Sequence, residues 1–117
     1  MPVPIETRHV EAILALAEEL NFTRAATRLS MGQPSISRLI VQLEEIVGFP
    51  ICDRNSKSVV FTEAGQELVN EFRRAVQHMK LGIHRGQIAH EGKEHILLVG
   101  HSPYIDPYLL SLLESAQ

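Results

Sequence analysis

Apolar side chains in residues 6–20 fall at Val10, Ile13, Ala17 and Leu20, with Leu14 and Leu16 beside them. Steps of three and four predict a helix with one buried face. Asn21 and Phe22 break the rhythm. Thr23 then has the side chain of an N-cap for a short helix over 24–30 that buries Ala25, Ala26 and Leu29. Met31-Gly32-Gln33 reads as a tight connection in which Gly32 supplies backbone freedom. Pro34 suits the first turn of a third helix, where its missing N–H is not needed. That helix runs to about Val47 and stops before Gly48. At roughly 100° per residue, Ile36, Ile40, Leu43 and Val47 share its core face. Pro34, Arg38, Val41, Gln42 and Glu45 lie opposite, with Ser35 and Ser37 on the flanks.

Further on, ICDRNSKSVVFT holds two short β-prone runs about the polar turn Asn55-Ser56-Lys57-Ser58, the pattern of a small hairpin. From Glu63 to about His90 a helical stripe carries Leu68, Phe72, Ala75, Met79 and Ile83, widened by Val69 and Val76. A helix over 63–90 would be about 42 Å long. So small a body offers no surface of that length, so a second copy is the expected partner, with packing inside one chain as the alternative. Gly82, Gly86 and Gly92 weaken its far end. Residues 95–117 change character: HILLVG has a buried-strand pattern, HSPYIDP reads as a loop and YLLSLLESAQ as an opening helix. That is half of a structural unit, so the chain is expected to stop just inside a further domain.

Charge changes this picture. The chain carries a formal net charge of −3, yet Arg24, Arg28 and Arg38 lie between Glu19 and Glu44 with no carboxylate among them. Residues 1–20 hold Glu6, Glu11, Glu18 and Glu19 against Arg8 alone. Two short helices about a glycine-containing turn, the second with a polar outer face, form a helix-turn-helix, and a following hairpin makes it winged. In that motif the start of the second helix enters the DNA major groove and the hairpin approaches the backbone. Duplex DNA carries about one negative charge per 1.7 Å of axis, so a carboxylate on the docking face would be repelled. The acid-free stretch fits that constraint.

NFTRAATRLSMGQPSISRLIVQLEEIVG resembles the helix-turn-helix of LysR-type transcriptional regulators, with its F-T-x-A-A-x-x-L and Q-P-x-x-S-R-x-I elements. GFPICDR followed by VVFTEAG is similar to that family's wing, and the likeness covers about residues 6–90. HILLVGHSPYIDPYLLSLLE resembles, more loosely, the opening of its effector-binding domain. The molybdate-responsive regulators share the same N-terminal motifs, but this tail favours the LysR type.

The resemblance implies a mainly α winged helix-turn-helix with a small β-hairpin wing and a long dimerisation helix. Its parts would be residues 1–62 for DNA binding, 63–92 as the linker helix and 93–117 as a truncated start of the effector domain. The expected DNA-binding residues are Thr23, Arg24, Gln33, Pro34, Ser35, Ser37, Arg38, Gln42, Arg54 and Lys57. Among them Ser37 would lie near base edges, Arg38 near a phosphate or base, Thr23 as the cap of the second helix and Arg54 at the wing. Dimerisation would use Leu68, Phe72, Ala75, Met79 and Ile83. Partners would be double-stranded DNA, a second copy, and a small-molecule inducer only in a full-length form.

Three positions depart from the family pattern. Gly32 stands where serine is usual, removing a hydroxyl cap or phosphate contact. Leu39 occupies a position often polar in relatives, removing a base contact. Cys52 replaces phenylalanine, which should loosen the wing.

Other chemistry finds little support. Arg24 and Arg28 have two readings, surface charge or phosphate contact. Val41 either faces outward incidentally or meets a thymine methyl. His78, His84 and His90 recur every six residues and so do not share a helical face, arguing against a metal site. Cys52 has no neighbouring base to activate it, and as the single cysteine it excludes an intramolecular disulfide and fits a reducing compartment. No phosphate loop, nucleophile elbow or paired-acid constellation occurs. No cofactor, metal or catalytic activity is expected. The N-terminus lacks a signal-peptide pattern and no apolar run is long enough to cross a membrane, so a cytoplasmic, nucleoid-associated protein is expected. The rival class is a protein-interaction module that dimerises without reading DNA.

Overall fold

The computed structural model describes residues 4–53 and 57–92. Its helices are α1 (Thr7–Glu19), α2 (Phe22–Arg28), α3 (Gln33–Val47) and α4 (Glu63–Glu91). The chain divides into two compact units, Met1–Phe72 and Arg73–Gln117. The expected strand, loop and helix of the tail, like Arg54 and the first half of the wing turn, lie outside the described residues.

In the first unit α1 is buried through its middle. Ala12, Ile13, Leu14, Ala15 and Leu16 are all buried, because α2 and α3 both pack on this helix. A single-face reading therefore misplaces several residues. Val10 and Ala17 are only half-buried. Leu20 is 53% exposed and closes the helix in the left-handed region, φ 51°, its N–H donating to the Leu16 carbonyl at 2.8 Å.

Helix α2 begins earlier than its sequence suggests. Asn21, not Thr23, is the N-cap: its backbone is extended and its Oδ1 accepts from the Arg24 N–H at 2.8 Å. An asparagine side chain reaches the third helical N–H readily, so the apparent interruption is the cap itself. Thr23 lies inside the helix, where its carbonyl accepts from the Thr27 hydroxyl. Ala25 and Ala26 are buried, but Leu29 closes the helix half-buried. Seven residues are too few to form a stable helix alone, so packing holds α2 in place.

The turn into α3 takes its left-handed residue at Ser30, φ 57°, while Gly32 has an ordinary φ of −80°. The freedom expected of Gly32 is thus not used. It serves as N-cap, with no side chain to contribute, and its carbonyl accepts from the Ser35 and Ile36 N–H groups. Pro34 lies in the first turn, and Gly48 ends the helix at φ 85°. Ile36, Leu39, Ile40 and Leu43 form its buried side, with Val47 only half-buried. Leu39 is 7% exposed, so it is a core residue and not a vacant base-contact position. Each fully buried Ile or Leu contributes about 1.5–3 kcal/mol, which makes this shared core the main support of α3.

The segment after α3 is tied down by Glu44, whose Oε2 accepts from the buried Ile51 N–H at 2.7 Å. Among the described residues the wing is a single antiparallel bridge, Cys52 with Phe61. Asp53 N–H donates to the Val60 carbonyl and Thr62 N–H to that of Ile51. Cys52 is 5% exposed. Thr62 then caps α4, its Oγ1 accepting from the Gly65 N–H at 2.9 Å. Gly65 lies so close to Ile51 that a Cβ would overlap the Ile51 carbonyl, which requires glycine here.

Helix α4 is continuous through Gly82 and Gly86 to Glu91. Its buried apolar side chains are Val69 and Val76, the two that widen the stripe. Leu68, Phe72 and Ile83 are half-buried, while Ala75 and Met79 are exposed. Leu81 and Ile88 are further exposed apolar residues.

Candidate nucleic-acid interface

The outer face of α3 follows from its buried one. Because Ile36, Leu39, Ile40 and Leu43 point inward, Gln33, Pro34, Arg38, Val41 and Glu45 are left exposed, with Ser35 and Ser37 half-buried on the flanks. Arg38 has no hydrogen-bond or ion-pair partner among the described residues, so its guanidinium is free to meet an anion or a base edge. The nearest acids in sequence are directed differently. Glu44 is turned away to hold Ile51, and Glu45 stands exposed about two turns beyond Arg38. The N-terminal half of the face is therefore positive and carries no carboxylate of its own.

The other two arginines of the acid-free stretch are compensated across helices. Arg28 Nη1 donates to Glu18 Oε2 at 3.1 Å and to Glu19 Oε2 at 3.3 Å, with only 22% of its side chain exposed. Arg24 Nη2 donates to the Glu19 carbonyl at 3.1 Å, and its Nε lies 3.6 Å from Glu19 Oε1. Arg24 remains 65% exposed and so still presents charge to solvent. Thr23 and Thr27 are exposed beside it. A linear count of charge missed this pairing, although Glu18 and Glu19 immediately precede the turn into α2 and are positioned to fold back on it.

Gln42 is half-buried and engaged. Its Oε1 accepts from His9 Nε2 at 3.0 Å, while His9 Nδ1 accepts from the Glu6 N–H at 3.0 Å. His9 is 3% exposed and ties the start of α1 to α3. Its burial had no signal in the apolar pattern. Lys57 is exposed at the wing turn. Among the described residues no three His, Cys, Asp or Glu side chains gather as a metal site, and no helix is long and apolar enough to cross a membrane.

Residues 7–66, just over half of the chain, match the family described as bacterial regulatory helix-turn-helix protein, lysR family. The chain is 40% identical over 96 residues to the HTH-type transcriptional regulator AlsR of Bacillus subtilis, covering 82% of this chain and 32% of AlsR. It is 35% identical over 103 residues to the DNA-binding transcriptional dual regulator OxyR of Escherichia coli, covering 88% of this chain and 34% of OxyR. The chain thus spans about a third of the length of these curated relatives. Among solved structures, a BenM_DBD/benA site 1 DNA complex is similar at a TM-score of 0.71 and 30% identity, covering 75% of this chain and 99% of that one.

Proposed function

Because the chain belongs to the lysR family of bacterial regulatory helix-turn-helix proteins, we propose that it is the DNA-binding and dimerisation portion of a transcriptional regulator that reads pseudo-palindromic DNA as a dimer. The observation that carries this reading is the exposed, unpaired Arg38 on an α3 face free of carboxylates through its first half. Duplex DNA supplies the complementary charge, and the likeness to a protein solved in a DNA complex supports the same partner. Gln33, Pro34, Ser37 and Arg38 reach into the major groove. Thr23, Arg24 and Ser35 lie against the adjoining backbone, and Arg54 and Lys57 approach it from the wing.

The residues 1–62 are the DNA-binding part, and 63–92 the linker through which two copies pair. The exposed Met79, Leu81 and Ile88 on α4 support that pairing, since each gains by leaving water. Sedimentation equilibrium should give twice the chain mass, and Met79→Glu should shift the protein toward monomer. Residues 93–117 open an effector domain, whose small-molecule inducer acts only in a longer protein. The working location is the cytoplasm, on the nucleoid when DNA is bound.

A fluorescent duplex library containing inverted repeats, titrated across a salt series, tests the reading. Selective binding with a steep negative slope of log affinity against log salt is the expected result. Absence of binding even at low salt would instead favour a protein-interaction module.

A further inference from the structure

The backbone at Pro50 and Ile51 is held from two helices at once. On one side Glu44, in the last turn of α3, accepts from the Ile51 N–H at 2.7 Å. On the other is Thr62, the residue before α4, whose N–H donates to the Ile51 carbonyl at 2.9 Å. Its hydroxyl donates to the Pro50 carbonyl at 2.7 Å, with the Ile51 carbonyl further off at 3.2 Å. The same hydroxyl accepts from the Gly65 N–H inside α4. Gly65 lets α4 come this near, since a Cβ there would overlap the Ile51 carbonyl. Ile51 is fully buried, so its polar backbone groups depend on these partners and not on water. Helix stability alone does not favour an acid at position 44, because a carboxylate near a helix C-terminus meets the negative end of the dipole. Helices α1, α2 and α3 pack on one another, whereas among the described residues α4 makes no comparable contact with any of them. The link from α3 to the start of α4 therefore runs chiefly through the Pro50–Ile51 backbone.

We propose that Glu44 and Thr62 are positioning residues: gripping Ile51 between them, they fix the start of α4 against α3 and so set the half-site spacing that a dimer accepts. This rests on the reading of α3 as the DNA-binding helix and α4 as the pairing helix. Neither side chain needs to touch DNA. When two copies pair through α4, the α3–α4 junction in each decides how far apart and at what angle the two α3 helices stand. One base pair more or less between half-sites moves them by about 3.4 Å and turns one against the other by about 35°. A stiff junction rejects such a site, and a loose one follows it.

The test titrates the 117-residue chain against duplexes that carry its selected half-site as an inverted repeat, the gap stepped one base pair at a time. A duplex with a single half-site serves as reference. The wild type should show one sharp optimum and lose about 10-fold one step to either side, a usual coupling between two sites. Glu44→Met and Thr62→Val, each checked for a cooperative thermal transition, should both flatten that profile to less than about 3-fold. Both should bind the single half-site as the wild type does. Thr62→Ser, which keeps the hydroxyl, should retain the sharp optimum. A merely supporting role would lower affinity for every duplex together and leave the shape of the profile unchanged. Should Glu44→Met not fold, Glu44→Asp, one methylene shorter, takes its place.

If either folded variant keeps the wild-type spacing profile, the positioning role is overturned while DNA binding stands. If the wild type binds equally at every spacing, pairing through α4 fails and the positioning role with it. If the chain selects no duplex at all, the DNA-binding reading itself fails.

Discussion

Arg28 and Arg38 lie ten residues apart in the same acid-free stretch, and folding gives them opposite fates. Arg28 is drawn under α1, where Glu18 and Glu19 both accept from it and solvent reaches 22% of its side chain. Arg38 emerges on the outer face of α3 with no partner among the described residues. Arg24 is intermediate, held at its edge by Glu19 but largely exposed. Charge counted along a sequence is therefore not charge available to a partner. The acids of one helix silence the bases of the next where they pack together, and Arg38 is spared because no acid of another helix reaches it among the described residues.

Substitution of each arginine sharpens that contrast. The largest effect is expected at the free one: Arg38→Ala should weaken duplex binding by about 1–3 kcal/mol if the side chain meets a base, measured by fluorescence anisotropy. Its unfolding midpoint in urea should stay near that of the parent. Arg28→Ala should behave in reverse. Losing a partly buried pair costs about 1 kcal/mol of folding stability, at the upper end for surface ion pairs. Its duplex affinity should hold once the protein is folded, and a loss matching that of Arg38→Ala would break the comparison. Arg24→Ala should have the smallest effect, lowering the salt slope of binding by no more than about one. Unfolding and anisotropy together place each variant on one side of the contrast or between its poles.

The sequence was legible where a single physical demand governed a segment. Pro34 in the first turn and the stop at Gly48 follow from fixed backbone requirements, and α3 runs from Gln33 to Val47 as its periodicity predicts. Ile36, Ile40 and Leu43 are buried because one side of α3 faces the core. Legibility failed where two neighbours compete for one helix. Helix α1 is covered by both α2 and α3, so Ala12 and Ala15 are buried although they fall outside the predicted stripe. Leu39 fails for a related reason, lying at the margin of the core face where only packing decides. Thr23 has a capping side chain, but Asn21, which reads as a break in the rhythm, is the residue that reaches the orphan N–H. At the candidate interface the exposed face of α3 was readable, whereas the restraint of Gln42 by His9 and of Arg28 by Glu18 depends on contacts 33 and 10 residues apart. No local pattern encodes those.

One measurement tests most directly whether the α3 face, and not the arginine-rich stretch as a whole, carries DNA binding. Wild type, Arg38→Ala and Arg28→Ala should be titrated against one selected duplex at several salt concentrations. Weakened binding by Arg38→Ala, with Arg28→Ala matching the wild type in both affinity and salt slope, is the predicted result. Equal losses in the two variants, or none in either, would contradict it.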